Sequence, residues 1–347
     1  MDNIMSNKTD KGKKKNFVRN YLRGRLRFTE FAITNCCIAR CSFCDIWKQT
    51  PKIFVKKEDA LQAIDRLAGF GVSHLTLTGG EPLMHPDIFE IVSRATRHNM
   101  NNAVLVAAPQ LLLRNDAYAR LEDAGCDLVS ISFDSGDPEV IAKSRQICNI
   151  MADMECAIKK VKTTGLTTMA SVLIWNNNFD SLEQVCKSAR DIGFDVISLN
   201  YPTFSESPVY TLGGEGVEMS RENVIQALKD AIRLKKAKKY NIINTAISMQ
   251  NIVDYLTDPD TVKFPCFGGA RVLFVDWFLD AHPCMQLEQV LGNILSMDEN
   301  DLGLPACNRC NMSWYRDFST LFYGAKSIPA LIEAVTSSGR LLSQRAH

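Results

Sequence analysis

Residues 28–44 read FTEFAITNCCIARCSFC. The run Phe28–Thr34 is rich in apolar and β-branched side chains, which is typical of a short buried strand. Four cysteines follow in the loop directly after it. Because parallel sheets bind ligands at the C-terminal ends of their strands, this stretch predicts the first strand of a sheet and a ligand site at its end.

The same pattern of a strand-like run and then helical periodicity recurs along the chain. The strand-like runs are Phe28–Thr34, His74–Thr78, Ala103–Ala107, Leu128–Phe133, Thr168–Trp175 and Val196–Tyr201. Helical spacing of apolar residues lies between them, at Lys57–Phe70, Pro86–Asn99, Asn115–Ala124, Ile150–Thr164 and Ser181–Ile192. Six such repeats predict a parallel α/β sheet. They span about 200 residues, too few for a closed eight-fold barrel, so we expect a partial (β/α)6 TIM-like barrel.

The last third of the chain is mixed in character. Its patterns predict an amphipathic helix at Ser220–Lys239, a short strand within Ile242–Met249 and a closing helix at Ile328–Leu342. A Thr-Asp-Pro-Asp run marks a boundary near Asp258–Lys263. We therefore predict four parts: a basic tail (1–27), the partial barrel (28–257), a small cysteine-rich α+β extension (258–325) and a C-terminal helix and tail (326–347).

The composition is that of an ordinary globular protein. The 347 residues are 46% hydrophobic and carry a net charge of +1, which gives no reason to expect a nucleic-acid partner. No stretch approaches the length of a membrane span, and the N-terminus lacks the apolar region of a signal peptide. These features predict a cytoplasmic protein.

The first 27 residues are strongly basic. Nine Lys or Arg lie between Lys8 and Arg27, opposed only by Asp10. We expect disorder up to Lys15 and then a short basic helix with apolar residues on one side. A solvated tail is the favoured interpretation, and contact with an anionic membrane surface is the alternative.

Twelve cysteines are unusual for a protein of a reducing compartment, where clustered cysteines indicate metal binding or catalysis. Cys37, Cys41 and Cys44 have spacings of three and two residues. Zinc usually takes four ligands, whereas three thiolates suit a four-iron cluster with one iron left open. Cys36 is off this spacing by one residue, and we treat it as a neighbour.

A second motif strengthens the interpretation. The strand-like run His74–Thr78 ends in Gly79-Gly80-Glu81-Pro82. Together with the C-x3-C-x2-C loop after the first strand, this segment resembles the radical S-adenosylmethionine (SAM) superfamily. The resemblance implies that the open iron binds SAM, that an external one-electron donor such as flavodoxin or ferredoxin reduces the cluster, and that a 5′-deoxyadenosyl radical abstracts hydrogen from the substrate. It further implies that Phe43 lies near the adenine and that the Gly79–Pro82 segment receives the amino group of SAM.

Other SAM contacts follow from the resemblance residue by residue. Ser132 and Asp134 match a Ser-x-Asp segment beside the ribose, with a turn-forming role as the alternative. Arg145 lies where relatives carry an arginine for the SAM carboxylate, and Asn176 lies where it can reach the nucleoside; a surface position is the alternative for Arg145. The turn at residues 106–110 departs from the usual Thr-Asn-Gly, so we expect an apolar wall there.

Four distal cysteines form a second set: Cys266, Cys284, Cys307 and Cys310. Their wide spacing, with a strand-like run at Val272–Phe278 between them, resembles the "twitch" form of the SPASM domain and implies an auxiliary four-iron cluster. A zinc site is the alternative. Of the scattered cysteines, Cys126 and Cys186 are predicted to be buried core residues. Cys148 and Cys156 are the candidates for a hydrogen donor if the reaction is redox-neutral.

A cluster held by four cysteines has no open iron, so the sequence predicts electron transfer and oxidation of a small biosynthetic substrate such as a sugar, aminocyclitol or nucleoside. Two alternatives within the family are maturation of a peptide and modification of a membrane-proximal lipid or porphyrin. Peptide-modifying relatives often carry an N-terminal recognition domain, and 27 tail residues are too few to build one. The non-enzymatic alternative, a zinc-stapled interaction protein, leaves the Gly79–Pro82 segment unexplained.

Overall fold

The computed structural model describes residues 2–203 and 219–333, with side chains from residue 11 onward. In these residues nine strands form one sheet: β1 (Arg27–Ala32), β2 (Val72–Thr78), β3 (Asn101–Val106), β4 (Leu128–Ser132), β5 (Thr167–Leu173), β6 (Val196–Asn200), β7 (Val272–Val275), β8 (Asp280–His282) and β9 (Gly292–Asn293). Their order in the sheet is β6-β5-β4-β3-β2-β1-β7-β8-β9.

The first six strands pair in parallel with their neighbours. β7 also runs parallel to β1, along its other edge, and β8 and β9 continue the sheet in antiparallel fashion. The sheet is open, with β6 and β9 at its edges. The predicted partial barrel is confirmed, and the cysteine-rich extension lengthens the same sheet.

The α-helices of the described residues are α1 (Asp2–Leu22), α2 (Lys57–Gly69), α3 (Ile88–Arg97), α4 (Gln110–Leu113), α5 (Ala117–Asp123), α6 (Pro138–Arg145), α7 (Ile150–Val161), α8 (Leu182–Ile192), α9 (Arg221–Lys236), α10 (Ala246–Thr257) and α11 (Ser313–Ser319). Those from α2 to α8 connect successive parallel strands, from β1 to β6. Each crossover helix buries one apolar side; α3, for example, buries Ile88, Ile91, Val92 and Ala95. Within the described residues no helix has the length and apolar character to cross a bilayer.

The two faces of the sheet differ in polarity. Alternate residues such as Phe31, Leu75 and Leu77 are fully buried and apolar. The opposite face, here called the inner face, carries polar side chains on most strands: Glu30, Thr76, Thr78, Ser130, Ser132, Ser171, Ser198 and Asn200. Since α11 reaches Glu30 through Tyr315 and Asn200 through Ser313, it covers part of the inner face.

The N-terminal segment differs from its prediction of disorder up to Lys15, because helix α1 begins at Asp2. Lys13 is 4% exposed, and its ammonium group donates to both carboxylate oxygens of Asp127 and to the Gly125 carbonyl. The Asn20 amide donates to the Ser73 hydroxyl at 2.8 Å. These contacts hold the helix against the N-terminal ends of β2 and β4, and Asp127 compensates the charge of Lys13.

Two further segments can be compared with their predictions. The expected strand within Ile242–Met249 is wrong: Ile242 makes only a single bridge to Ile197, and α10 begins at Ala246. The Thr245 hydroxyl accepts from the Ser248 N–H, which caps the helix and ends the extended run.

The closing helix begins at Ile328 as predicted, and its part beyond Glu333 lies outside the described residues.

Replacing Lys13 with alanine tests whether the docked end of α1 stabilises the fold. Because Asp127 keeps access to water, we expect the free energy of unfolding to fall by about 1–2 kcal/mol. Urea denaturation of the anaerobically purified chain measures the change. Lys15→Ala, at an exposed position of the same helix, is the matched control. Equal stability of the two variants would contradict a structural role for the Lys13 contact.

Candidate active site

The loop that carries the first cysteines is joined to the end of β2 by the backbone. The Gly80 N–H donates to the Thr34 carbonyl at 2.8 Å, and the Glu81 N–H donates to the Cys36 carbonyl at 2.7 Å. Gly79 has a φ of +128°, and a Cβ added there would lie 2.1 Å from the Thr34 oxygen. A Cβ on Gly80 would lie 2.2 Å from the Cys36 oxygen. Only glycines allow this close approach, so the two motifs form one unit.

A cavity of about 200 Å³ lies over the C-terminal ends of β1–β5. It brings together most of the predicted site residues: Cys37, Cys41, Phe43, Cys44, Gly79, Gly80, Ser132 and Arg145. Trp47, Ser130 and Ser171 also line it and were missed by the sequence analysis. The period of two residues along β4 was the available signal for Ser130, since it places Ser130 on the same face as Ser132.

Glu81 and Pro82 are buried but do not line the cavity. One Glu81 carboxylate oxygen accepts from the Ala107 and Ala108 N–H groups at 2.8 and 2.9 Å, and the other accepts from Leu83. Burial raises the pKa of this carboxyl to about 7, although the three N–H donors oppose the rise. The side chain therefore holds the turn after β3 in place, and only the glycines of the motif face the cavity.

The wall formed by this turn is apolar, as predicted. Leu105, Val106 and Ala107 line the cavity there. Because the N–H groups of Ala107 and Ala108 already bind Glu81, they have no donor to offer a ligand. A bound molecule therefore meets this wall through van der Waals contact.

Arg145 forms a buried ion pair beside the cysteine loop. Its guanidinium group donates to the Asp134 carboxylate through Nε at 2.9 Å and through Nη2, and its Nη1 lies 3.6 Å from Cys41 Sγ. The guanidinium also lies over the ring of Phe43, at 4.9 Å from its centre. Asp134 is fully buried and does not line the cavity. The structure thus puts Asp134 behind Arg145, where it positions the arginine.

Asn176 is exposed and does not line the cavity, so the structure does not bring it to the other predicted contacts. Its neighbour Asn178 is 1% exposed, and its amide nitrogen donates to the Asp134 and Leu173 carbonyls at 2.8 Å each. Its oxygen accepts from the Trp175 N–H. Trp175 in turn packs edge-on against Phe43, with ring centres 5.8 Å apart. Asn178 therefore positions Trp175 behind Phe43, and Phe43 lines the cavity.

The thiols of the first set lie in a low-polarity environment. Burial raises the pKa of Cys37 to about 12, and the Glu81 carboxylate adds to the rise. Burial also raises the pKa of Cys44. Without a metal these thiols stay protonated at neutral pH, whereas a metal centre would hold them as thiolates. Cys36 does not line the cavity, and its backbone carbonyl accepts the hydrogen bond from the Glu81 N–H.

The four distal cysteines line a second, more enclosed cavity of about 30 Å³: Cys266, Cys284, Cys307 and Cys310. Cys266 and Cys307 are joined by two backbone hydrogen bonds of 2.7 and 2.6 Å. Two sulfur atoms accept from backbone N–H groups, Cys266 from Gly268 at 3.3 Å and Cys284 from Gln286 at 3.4 Å. Burial raises the pKa of Cys266 to about 11 and that of Cys284 to about 12.

The arrangement of the cysteines indicates whether a cavity suits a single metal ion or a larger cluster. Across residues 2–203 and 219–333, no three His, Cys, Asp or Glu side chains are grouped so that they could hold a single metal ion. Cys266, Cys284 and Cys310 nevertheless interact electrostatically with one another across the distal cavity. The donor set of soft thiolates, spread around a cavity, fits an iron–sulfur cluster.

Of the scattered cysteines, Cys126 and Cys186 are buried in the core. Cys148 and Cys156 are exposed, and neither lines either cavity. A hydrogen donor must reach the substrate, so neither position suits that role in this conformation.

An open parallel α/β sheet whose first strand leads into a three-cysteine cavity defines a class of iron–sulfur enzymes. Residues 31–205 match the radical SAM superfamily, and the chain belongs to that family. Its members use a 4Fe–4S cluster and SAM. Within this cavity Cys37, Cys41 and Cys44 are the thiols that fit such a cluster, and Gly79, Gly80, Phe43 and Arg145 surround the remaining space.

The chain is similar to several known proteins. It is 25% identical over 269 residues to the PqqA peptide cyclase of Granulibacter bethesdensis, covering 75% of this chain and 68% of that protein. It is 28% identical over 205 residues to the GTP 3′,8-cyclase of Chlorobaculum tepidum, covering 58% of this chain and 61% of that protein. The structure of Streptococcus suis SuiB bound to SAM superposes with a TM-score of 0.63 at 11% identity, covering 84% and 70% of the two chains.

Asp134→Asn tests whether the buried ion pair positions Arg145. Breaking such a pair leaves an uncompensated buried charge and costs about 3–5 kcal/mol. Because Arg145 then loses its orientation toward the cavity, we expect SAM affinity of the iron-loaded chain to fall by about tenfold or more. Equilibrium dialysis with labelled SAM measures it. Asn176→Ala is the control and should bind like the wild type; an equal loss would show that the exposed asparagine contacts the nucleoside instead.

Glu30 on β1 predicts a pH dependence of stability. It is 5% exposed, and its carboxylate accepts from the Tyr315 hydroxyl at 3.1 Å. Burial raises its pKa from 4.5 to about 7, against the lowering effect of Tyr315. Between these values the folded chain holds a proton that the unfolded chain has released, so this group makes the fold less stable as pH rises through that window.

Glu30→Gln removes this titration. The variant should be more stable than the wild type at pH 8, by about 3 kcal/mol, and the difference should close as the pH falls toward 4.5. Urea unfolding at several pH values measures it. A difference that stays constant with pH would contradict the assignment.

Proposed function

We propose that this radical SAM enzyme oxidises a small polar substrate, with one cluster on Cys37, Cys41 and Cys44 and an auxiliary cluster on Cys266, Cys284, Cys307 and Cys310. The single observation that carries the proposal is that all four distal cysteines line one enclosed cavity, on strands and loops that continue the catalytic sheet. If all four thiolates bind iron, no open coordination position remains. The auxiliary cluster then serves electron transfer.

A cluster fits the distal cavity better than zinc does. Tetrahedral zinc with bonds of about 2.3 Å needs its four ligand atoms closely grouped around one point. The described side chains show no such grouping for a single ion. The four thiols that line the cavity are the donor set that a four-iron cluster uses.

The residues of the first cavity have separate roles in this proposal. SAM bound to the cluster supplies a 5′-deoxyadenosyl radical that removes a hydrogen atom from the substrate. Gly79 and Gly80 expose backbone at the strand end for the amino group of SAM, and Arg145 holds a positive charge for its carboxylate. Phe43 provides an aromatic ring against which the adenine packs, and Trp175 supports that ring from behind.

The balance of the reaction explains the second cluster. Loss of a hydrogen atom leaves a substrate radical, and 5′-deoxyadenosine carries that hydrogen away. A second electron and a proton must then leave to form a double bond; a cluster on Cys266, Cys284, Cys307 and Cys310 would take the electron, and the proton would pass to water. Net dehydrogenation of an alcohol or amine meets this balance.

The inner face supports a polar substrate. Ser130 is 1% exposed, lines the cavity, and its hydroxyl has no hydrogen-bond partner. Ser171 also lines the cavity, and its hydroxyl accepts from the Asn200 amide at 3.1 Å. Buried hydroxyls and amides of this kind select hydrogen-bonding groups, as a sugar, aminocyclitol or nucleoside offers. A relative named for GTP is consistent with a nucleoside.

A peptide substrate is the second candidate. The relative that covers 75% of this chain is named a PqqA peptide cyclase. Oxidative cross-linking of a peptide has the same electron balance as dehydrogenation of a small molecule. The auxiliary cluster would serve either reaction in the same way.

Iron analysis after anaerobic reconstitution tests the two-cluster proposal. The wild type should bind about eight irons per chain, and Cys284→Ala/Cys310→Ala about four. The double variant should still release 5′-deoxyadenosine when reduced with SAM, because the first cluster is intact, whereas Cys41→Ala should release none. About four irons with one zinc in the wild type would refute the auxiliary cluster. Release by Cys41→Ala would refute the first site.

A further inference from the structure

Helix α11 carries a fully buried arginine beside the distal cavity. Arg316 has 0% exposure, and its Nε donates to the Cys310 carbonyl at 2.6 Å. Its Nη2 donates to the Asn308 side-chain oxygen at 2.7 Å. The guanidinium also lies 4.5 Å from the ring centre of Tyr255. All of these partners are neutral, and they hold the cation in one orientation next to two of the distal cysteines.

The guanidinium retains an unused donor. Arg316 Nη1 is buried and has no hydrogen-bond partner, and no carboxylate of the described residues forms a salt bridge with this arginine. A buried charge without a counter-charge costs several kcal/mol. The contrast with Arg145 is direct, because Arg145 is paired with Asp134. The position of Arg316 therefore calls for a negative partner.

The distal cavity is where that negative charge would lie. Both hydrogen bonds of Arg316 go to the Cys307–Cys310 segment, one to the Cys310 carbonyl and one to the Asn308 side chain. A four-iron cluster with four thiolates carries a net negative charge, and each added electron makes it more negative.

We infer that Arg316 is a positioning residue that raises the reduction potential of the auxiliary cluster and so lets it accept an electron from the substrate radical. The inference rests on the proposed function. Cluster potentials depend on net charge, on hydrogen bonds to sulfur and on solvent exposure. A buried cation held against the Cys310 backbone acts through the first of these, the net charge around the cluster. The reduced cluster is stabilised more than the oxidised one, since it carries the larger negative charge.

The test uses the full-length chain with Cys37, Cys41 and Cys44 replaced by alanine, so that only the auxiliary site binds iron. EPR-monitored redox titration then measures the ratio of reduced to oxidised cluster at a fixed solution potential. Arg316→Gln should lower this ratio by about tenfold or more, equivalent to about 59 mV for one electron. Arg316→Lys keeps the charge and should stay within about threefold of the parent.

Arg309 provides a matched control. It lines the same cavity but is exposed, so water screens its charge. Arg309→Gln should change the ratio by less than about twofold. An equal shift in the Arg309 and Arg316 variants would show a general charge effect and overturn the specific role of Arg316.

The remaining outcomes separate this inference from the proposed function. A parent chain that binds zinc or no iron at the distal site refutes the auxiliary cluster itself. Arg316→Gln that loads iron and titrates like the parent refutes the inference alone. If Arg316→Gln binds no iron, the Arg316→Lys variant tests the inference. Iron binding by Arg316→Lys, with a ratio of reduced to oxidised cluster near that of the parent chain, supports the inference. Failure to bind iron, or a tenfold lower ratio, overturns it.

Discussion

The pairing of β1 on both of its edges is the interaction on which the rest of the structure depends. β2 lies along one edge and β7 along the other, both in parallel. The first cysteine loop leaves the C-terminal end of β1, and β7 lies in sequence between Cys266 and Cys284. Midway along β1, Glu30 accepts from Tyr315, which lines the distal cavity. One strand therefore sets the relative position of both cavities.

Much of the fold and of the first cavity could be predicted from the sequence. The six parallel strands were predictable because each is a short apolar or alternating run followed by helical spacing. The cysteine spacing was informative because three thiols so close in sequence can bind one metal centre. Gly79-Gly80 was informative because only glycine allows the backbone to approach so closely there. Such signals are local, and local patterns are what a single sequence displays.

The rest depends on contacts between distant parts of the chain. The order of α1 depends on Lys13 meeting Asp127, 114 residues away. Asn176 and Asn178 look alike in the sequence, but only Asn178 lies within reach of the Asp134 carbonyl on the neighbouring repeat. Glu81 was predicted to face a ligand because nothing near it in the sequence shows that its carboxylate binds the backbone of the turn after β3. In each case the deciding partner lies in another strand–helix repeat.

Helix α11 is short, yet its successive side chains reach different parts of the molecule. Ser313 binds Asn200, Tyr315 binds Glu30, and the Ser319 hydroxyl accepts from the Phe267 N–H next to Cys266. A seven-residue helix has little stability of its own and needs tertiary contacts to persist. Because these contacts join α11 to β1, to β6 and to the residue after Cys266, a shift of this one helix would disturb the distal cavity and the inner face of the sheet together.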